Sequence, residues 1–193
     1  TYRDVNIAFS NETAKICEQL GIDVMEVVRV ANTHPRVHVH VPGVGVGGPC
    51  IPKDPYLLIS PYLKLNLDLD VIPRARAVNE AMPLHLVSLT EKALKEGGIS
   101  FSDATVLCLG VAYKGNVSDT RNTPAEDVVR ALLDAGSKVS AYDPFTDETF
   151  GAKKCRNLDE GVKSADAVVI LTDHDEFRLL DLAKLKKLMK RNA

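Results

Sequence analysis

The sequence predicts an α/β chain in two parts, a helical domain over residues 1–98 and a doubly wound parallel-sheet domain over residues 99–193. Three observations carry this. Apolar residues recur at three- and four-residue spacing through the first part. Strand-like and helix-like patterns alternate through the second. The composition changes between them, near residue 100.

Residues 1–32 read as helices. Val5, Ala8, Phe9, Glu12, Ile16 and Leu20 follow a mostly three- and four-residue spacing, and Gly21 ends it. Asp23 caps a second, short helix carrying Val24, Val27, Val28 and Val30, which closes at His34-Pro35. Val37, Val39 and Val41 alternate with His38 and His40, an extended signature. A glycine- and proline-rich loop follows from Pro42 to Pro55. Asp54 to Leu65 predicts a helix containing Tyr56, Leu57, Leu58, Ile59 and Tyr62, interrupted at Pro61. Asp70 opens a long helix that ends at Gly97-Gly98, with Pro73 tolerated at its start and Pro83 expected to kink it. Such a helix suits a connector or a subunit interface.

The second part opens on a buried-strand run, Ala104 to Gly110. Thr123, Pro124 and Glu126 combine an N-cap, an N1 proline and the distal half of a capping box, for a helix to Ala135 that ends at Gly136. Lys138 to Asp143 is a second strand and residues 165–172 contain a third. Asp181 to Arg191 is a closing helix.

Composition narrows the function. Lys plus Arg number 24 against 26 for Asp plus Glu, with no basic stripe, so nucleic acid is not the expected partner. No apolar run approaches the roughly 18 residues of a membrane span, and membrane association is not expected. The cysteines are Cys17, Cys50, Cys108 and Cys155; none forms a CxxC pair, so no zinc or dithiol motif arises and no metal is expected. A reducing cytoplasm is the expected compartment. The chain opens at Thr1-Tyr2-Arg3-Asp4 directly in a helical pattern, which we expect of a fragment that starts inside a helix.

The most informative stretch is Pro42-Gly-Val-Gly-Val-Gly-Gly-Pro-Cys-Ile-Pro-Lys-Asp-Pro55. Gly43, Gly45 and Gly48 satisfy G-x-G-x-x-G, yet Pro49, Cys50 and Pro52 stand where a helix should begin, so this is not a dinucleotide fingerprint. The loop instead delivers one thiol, Cys50, near a helix start and close to Lys53, a setting that favours thiolate. A small buried hydrophobe is the competing role for such a cysteine. Cys17 on a helix face and Cys108 in a strand fit that role, and Cys155, between two cations, is expected to be exposed. Asp54 follows Cys50 by one helical turn, where a carboxylate can steer water or a proton, or only complement the helix dipole. Arg36, His38 and His40 precede the loop on one face of the extended segment, as an anion site or a solvated edge. Tyr113, Lys114 and Arg121 lie in the loop beyond the first strand, where parallel sheets bind ligands. Gly110 to Gly115 begins like a P-loop, but Asn116 replaces its lysine, which disfavours an ATPase. Asp143, ending the second strand, can hold a ribose or start a turn.

Taken together, Pro35-Arg36-Val37, the Pro42–Pro55 loop, Gly110-Val-Ala-Tyr-Lys114 and Asp119-Thr-Arg121-Asn-Thr-Pro124-Ala125 resemble the UDP-glucose/GDP-mannose dehydrogenase family, in order and spacing over nearly the whole chain. The resemblance implies a central helical dimerisation domain at 1–98 and an incomplete Rossmann-like UDP-sugar domain at 99–193. It implies that the family's catalytic lysine and asparagine and its N-terminal NAD domain lie outside these residues, so NAD would be held mainly elsewhere. The implied reaction oxidises a sugar C6 alcohol twice, to the uronate. Cys50 would form the thiohemiacetal and thioester, with Asp54 and Lys53 assisting. Arg36, His40 and the amides of Gly43, Gly45 and Gly47 would reach the substrate, as would Tyr113 and Lys114. Arg121 would face the NAD phosphates. Ile51-Pro52 and Asp54-Pro55 are similar to the N-acetylhexosamine branch, above all UDP-N-acetylmannosamine dehydrogenases; UDP-glucose and UDP-N-acetylglucosamine remain alternatives. A non-catalytic nucleotide-binding or dimerisation module is the competing class. A cofactor site within residues 104–143 is a third, disfavoured by the missing glycine fingerprint.

Overall fold

A computed structural model describes residues 1–63 and 67–190. Two compact units emerge, Thr1–Met82 and Pro83–Ala193. Among the described residues, no helix is long and apolar enough to cross a membrane.

The first unit is built from α1 (Tyr2–Leu20), α2 (Val24–Ala31), α3 (Asp54–Leu63) and the first half of α4 (Val71–Glu96). Helix α1 ends as its sequence requires, with Gly21 left-handed at φ 66° and the Ile22 amide returning to the Cys17 carbonyl at 3.0 Å. Asp23 caps α2 by accepting the Met25 amide at 2.8 Å. Helix α3 runs through Pro61 to Leu63 without the expected interruption; the expected end at Leu65 lies outside the described residues. Helix α4 holds Pro83 within its span.

The segment 37–43, expected to be extended, is neither helix nor strand and belongs to no sheet. Side chains replace the missing neighbour strand. Asn32 exchanges two hydrogen bonds with the Val39 backbone, at 2.7 and 2.9 Å. Asn6 receives the His40 amide at 2.9 Å and donates to the His38 carbonyl at 2.6 Å. Ser10 donates to the His40 carbonyl and Asn11 accepts the Gly43 amide. Short polar side chains on α1 and just past the end of α2 thus satisfy a backbone that would otherwise need a ladder.

The second unit adds β1 (Thr105–Leu109), α5 (Pro124–Asp134), β2 (Lys138–Tyr142), β3 (Lys153–Lys154), α6 (Leu158–Ser164), β4 (Ala167–Ile170), α7 (Asp175–Arg178) and α8 (Leu182–Leu188). The strands form one parallel sheet in the order β3-β2-β1-β4. The two-residue β3 was not expected, being too short to show a period. The closing helix is shorter than its pattern suggested, and Arg191 lies outside the described residues. Thr123 caps α5 through the Ala125 amide at 3.3 Å, but the capping box is half made: Glu126 turns outward to Arg130, and the Thr123 amide goes to the Thr120 carbonyl.

Strand β1 is central and buried on both faces. Leu107 and Leu109 pack with Val162, Ala165 and Phe177 in one core cluster, while alternation turns Val106 and Cys108 to the other face. Cys155 joins the Leu107 cluster at 5% exposure, correcting its expected exposure. Its flanking Lys154 and Arg156 are exposed, and the chain's alternation carries the thiol inward between them. Cys17 and Cys108 are buried as expected.

Candidate active site

In the first unit the predicted thiol stands clear of the core: Cys50 is exposed, on the turn that opens α3. Its carbonyl accepts the Lys53 amide at 3.0 Å and the Asp54 amide at 2.8 Å. Cys50, Lys53 and Asp54 therefore share one turn, all three exposed. Gly43 is tied to α1 through Asn11, and Gly45 and Gly48 take positive φ of 132° and 88°. The loop is thus anchored at Gly43 while its surface remains open to a ligand. His40 lies beside this anchor, its ring 5.3 Å from that of His38. Burial, then the neighbouring His38 and Arg3, hold its pKa below the ordinary value. Arg36 is exposed in the preceding turn, where its amide meets His34 Nδ1 at 3.3 Å. Among the described residues, no three His, Cys, Asp or Glu side chains converge as a metal site.

In the second unit the strand order reverses direction between β1 and β4, and the loops leaving their carboxyl ends meet there. This is the crevice where open parallel sheets take ligands. Asp143 fastens it. Its Oδ2 accepts the amides of Val111 (2.7 Å) and Ala112 (3.2 Å) and pairs with His174 Nε2 (3.1 Å); its Oδ1 accepts the Phe145 amide at 2.8 Å. Burial pushes this carboxyl up, but the amides and His174 outweigh burial and hold its pKa below the ordinary carboxylate value. The side chain is 1% exposed, which leaves a ribose no open path to it.

His174 was not anticipated from the sequence, and it is fully buried. Nδ1 accepts the Asn116 amide at 2.9 Å, so the ring proton sits on Nε2 and is donated to Asp143. The ring stacks on Phe145 at 4.9 Å and meets the edge of Phe177. Asn116 itself, left-handed at φ 61°, exchanges side-chain hydrogen bonds with Asp175. Thr172 donates to the Ala112 carbonyl at 2.6 Å. The residues 111–116 are therefore stapled to 172–175. Tyr113 is half-buried and Lys114 exposed at the tip of the staple. The only hint in the sequence was the run Asp173-His174-Asp175 at a strand end, a polar cluster with no period.

Arg121 is engaged rather than isolated. Its guanidinium forks onto Asp119 at 2.6–3.1 Å, and the Asp119 carbonyl accepts the Tyr113 amide. The Arg121 side chain and amide hold the Asp119 carboxyl below its ordinary pKa. Arg121 and Tyr113 are thus coupled through one residue.

Comparisons with known proteins agree on both units. Residues 1–81 match the central domain of the UDP-glucose/GDP-mannose dehydrogenase family, and residues 107–193 match the family's UDP binding domain. A UDP-N-acetyl-D-mannosamine dehydrogenase from Pyrococcus horikoshii is 44% identical over 98% of this chain and 44% of its own length. The solved UDP-D-ManNAc dehydrogenase of the same organism superposes with a TM-score of 0.90 at 43% identity, again over 98% of this chain and 44% of that one. An NDP-N-acetyl-D-galactosaminuronic acid dehydrogenase from Methanosarcina mazei Go1 gives 0.86 at 34% identity, over 97% and 42%. The chain thus spans less than half the length of these relatives.

Proposed function

The chain belongs to the UDP-glucose/GDP-mannose dehydrogenase family, and on that premise we propose that it is the central and UDP-sugar-binding part of an NAD-dependent UDP-N-acetylmannosamine 6-dehydrogenase. The observation that carries this is the exposed Cys50 on a rigidly anchored glycine loop, in a chain 44% identical over 98% of its length to an enzyme of that name. Residues 1–98 form the helical dimerisation domain and residues 99–193 the UDP-sugar domain.

In this reading the Cys50 sulfur attacks the C6 aldehyde, forming a C–S bond while the carbonyl oxygen takes a proton. The thiohemiacetal becomes the thioester when C6 gives up a hydride and its hydroxyl a proton; NAD held mainly outside these residues would supply the hydride acceptor. Water then adds to the Cys50 thioester, the C–S bond breaks and the thiol regains its proton, leaving the carboxylate. Asp54 and Lys53, one turn from the sulfur, hold the water and proton of that last step. Arg36, His40 and the amides of Gly43, Gly45 and Gly47 bind the sugar and its phosphates. Tyr113 and Lys114 bind the nucleotide side, on the staple set by Asp143 and His174.

The fit of NAD to this chain is poor. The Val111 and Ala112 amides, which a dinucleotide loop would turn to pyrophosphate, are taken by Asp143. Arg121, the proposed phosphate contact, has its fork on Asp119. The principal NAD site then lies outside these residues, and the isolated 193-residue chain does not turn over.

We place the enzyme in the cytoplasm, since Cys17, Cys50, Cys108 and Cys155 are all free thiols. We read it as a homodimer through its central helices. Tyr2, Phe9, Ile16 and Leu20 of α1 are exposed along one helical stripe. A groove of about 540 Å³ between α1 and α4, lined by Phe9, Val71 and Val78 among others, runs beside it.

The test is uronate formation by the full-length protein with NAD and each of UDP-N-acetylmannosamine, UDP-N-acetylglucosamine and UDP-glucose. The first should be preferred, and Cys50→Ser should abolish acid formation while retaining UDP binding. Undiminished acid production by that variant would remove the nucleophile role; preference for UDP-glucose would remove the substrate assignment.

A further inference from the structure

One continuous chain of side chains ties both ends of the glycine loop to α4, and we propose that this chain, polarised by the Asp4 carboxylate, positions Cys50, with Asn11, Asn79 and Arg76 as positioning residues. The proposal rests on the reading of Cys50 as nucleophile. At the near end the Gly43 amide donates to Asn11 Oδ1 at 2.9 Å. Asn11 Nδ2 donates to Asn79 Oδ1 at 2.9 Å. Asn79 Nδ2 donates to Asp4 Oδ1 at 2.8 Å and to the Asp4 carbonyl at 2.9 Å. Arg76 donates to Asp4 Oδ1 at 2.6 Å and to Glu80 Oε1 at 3.2 Å. That Glu80 oxygen accepts the Tyr56 hydroxyl at 3.1 Å, on α3 just beyond Asp54.

The polarity of the chain follows from chemistry. An ionised carboxylate only accepts. Asn79 must therefore turn its NH₂ to Asp4, which leaves its carbonyl for Asn11. Asn11 must then turn its own NH₂ to Asn79 and its carbonyl to Gly43. Reversing either amide would set two donors face to face, and Asp4, Asn11 and Asn79 are 0%, 0% and 1% exposed, so water cannot repair the error. Among the described residues Asp4 Oδ2 and Arg76 Nε have no partner, so Oδ1 and the Asp4 carbonyl together orient Asn79. The carboxylate and carbonyl of one α1 residue thus set, through two intervening side chains, that an acceptor faces the loop carrying Cys50.

The test uses the full-length protein with Asn79→Ala, which leaves the Asp4–Arg76 pair intact, and Asp4→Asn, which removes the polarising charge. Neither position touches Gly43. In both, hydrogen exchange at the Gly43 amide should accelerate about ten-fold, the scale of one lost hydrogen bond, while the β1 amides keep wild-type rates. The turnover number should fall with KM for the UDP-sugar near wild type. Should Asp4→Asn fail to fold, Asn79→Ala decides alone. Wild-type exchange at Gly43 in Asn79→Ala overturns the relay, and accelerated exchange with undiminished turnover overturns its role in positioning Cys50. An inactive wild-type protein is instead a failure of the functional reading, visible before any variant is made.

Discussion

Asp143 shows how one side chain can set a loop. Its two oxygens, on a side chain only 1% exposed, hold amides from two strand ends and a histidine. Asp143→Asn would turn a donor toward those donors, and we expect a loss of about 3 kcal/mol at neutral pH, read by denaturant titration. The same contacts give a pH signature. The folded carboxyl titrates below its unfolded value of about 3.9. The stability it contributes is therefore complete above that value and is lost as pH falls through the lower folded pKa. Wild type should lose stability more steeply below about pH 4 than Asp143→Asn does; equal slopes would show that the charge is not what holds the knot. The cysteines make a second residue-scale prediction. Cys108 is buried and its pKa is pushed up to about 12, and Cys17 and Cys155 are buried too. Native-state alkylation with peptide mapping should mark Cys50 first and leave Cys108 unmodified. Labelling of Cys155 at the rate of Cys50 would contradict its place in the core. Nothing in the flanking Lys154 and Arg156 disclosed that place, because neighbours in sequence do not report the opposite side of an extended chain.

At the scale of elements, the loop after β1 is defined by what it cannot accommodate. Gly110 has φ +81°, and a Cβ there would lie 2.5 Å from the Thr172 Cβ. Gly98 has a similar φ of +70° with nothing within 4 Å. Gly98→Ala should then cost about 1 kcal/mol, the left-handed penalty alone. Gly110→Ala should cost about 3 kcal/mol and weaken UDP binding, since the staple must open to admit the methyl. Calorimetric Tm values and UDP titration separate the two; equal destabilisation would mean that the packing against Thr172 is loose. Helix starts, stops and strands were largely legible because caps and periods are local. The half-made capping box at Thr123 was not, since Glu126 chooses between its own helix start and Arg130 only once both are placed.

At the scale of the whole molecule, the exposed stripe of α1 predicts association. Phe9→Asp with Ile16→Asp should convert a dimer to a monomer in light scattering, with helicity retained; a variant that stays dimeric would move the interface elsewhere. The alternation of strand and helix, the glycine loop with its single thiol, and the motif order that resembles nucleotide-sugar dehydrogenases were all present in the sequence, because they depend on residue type and spacing. Tertiary structure alone decided which polar groups meet: Asp4 with Asn79 75 positions away, and His174 with Asn116 58 away. Buried polar residues follow no hydrophobic period, so their partners become apparent only when packing excludes water and obliges every donor to find an acceptor.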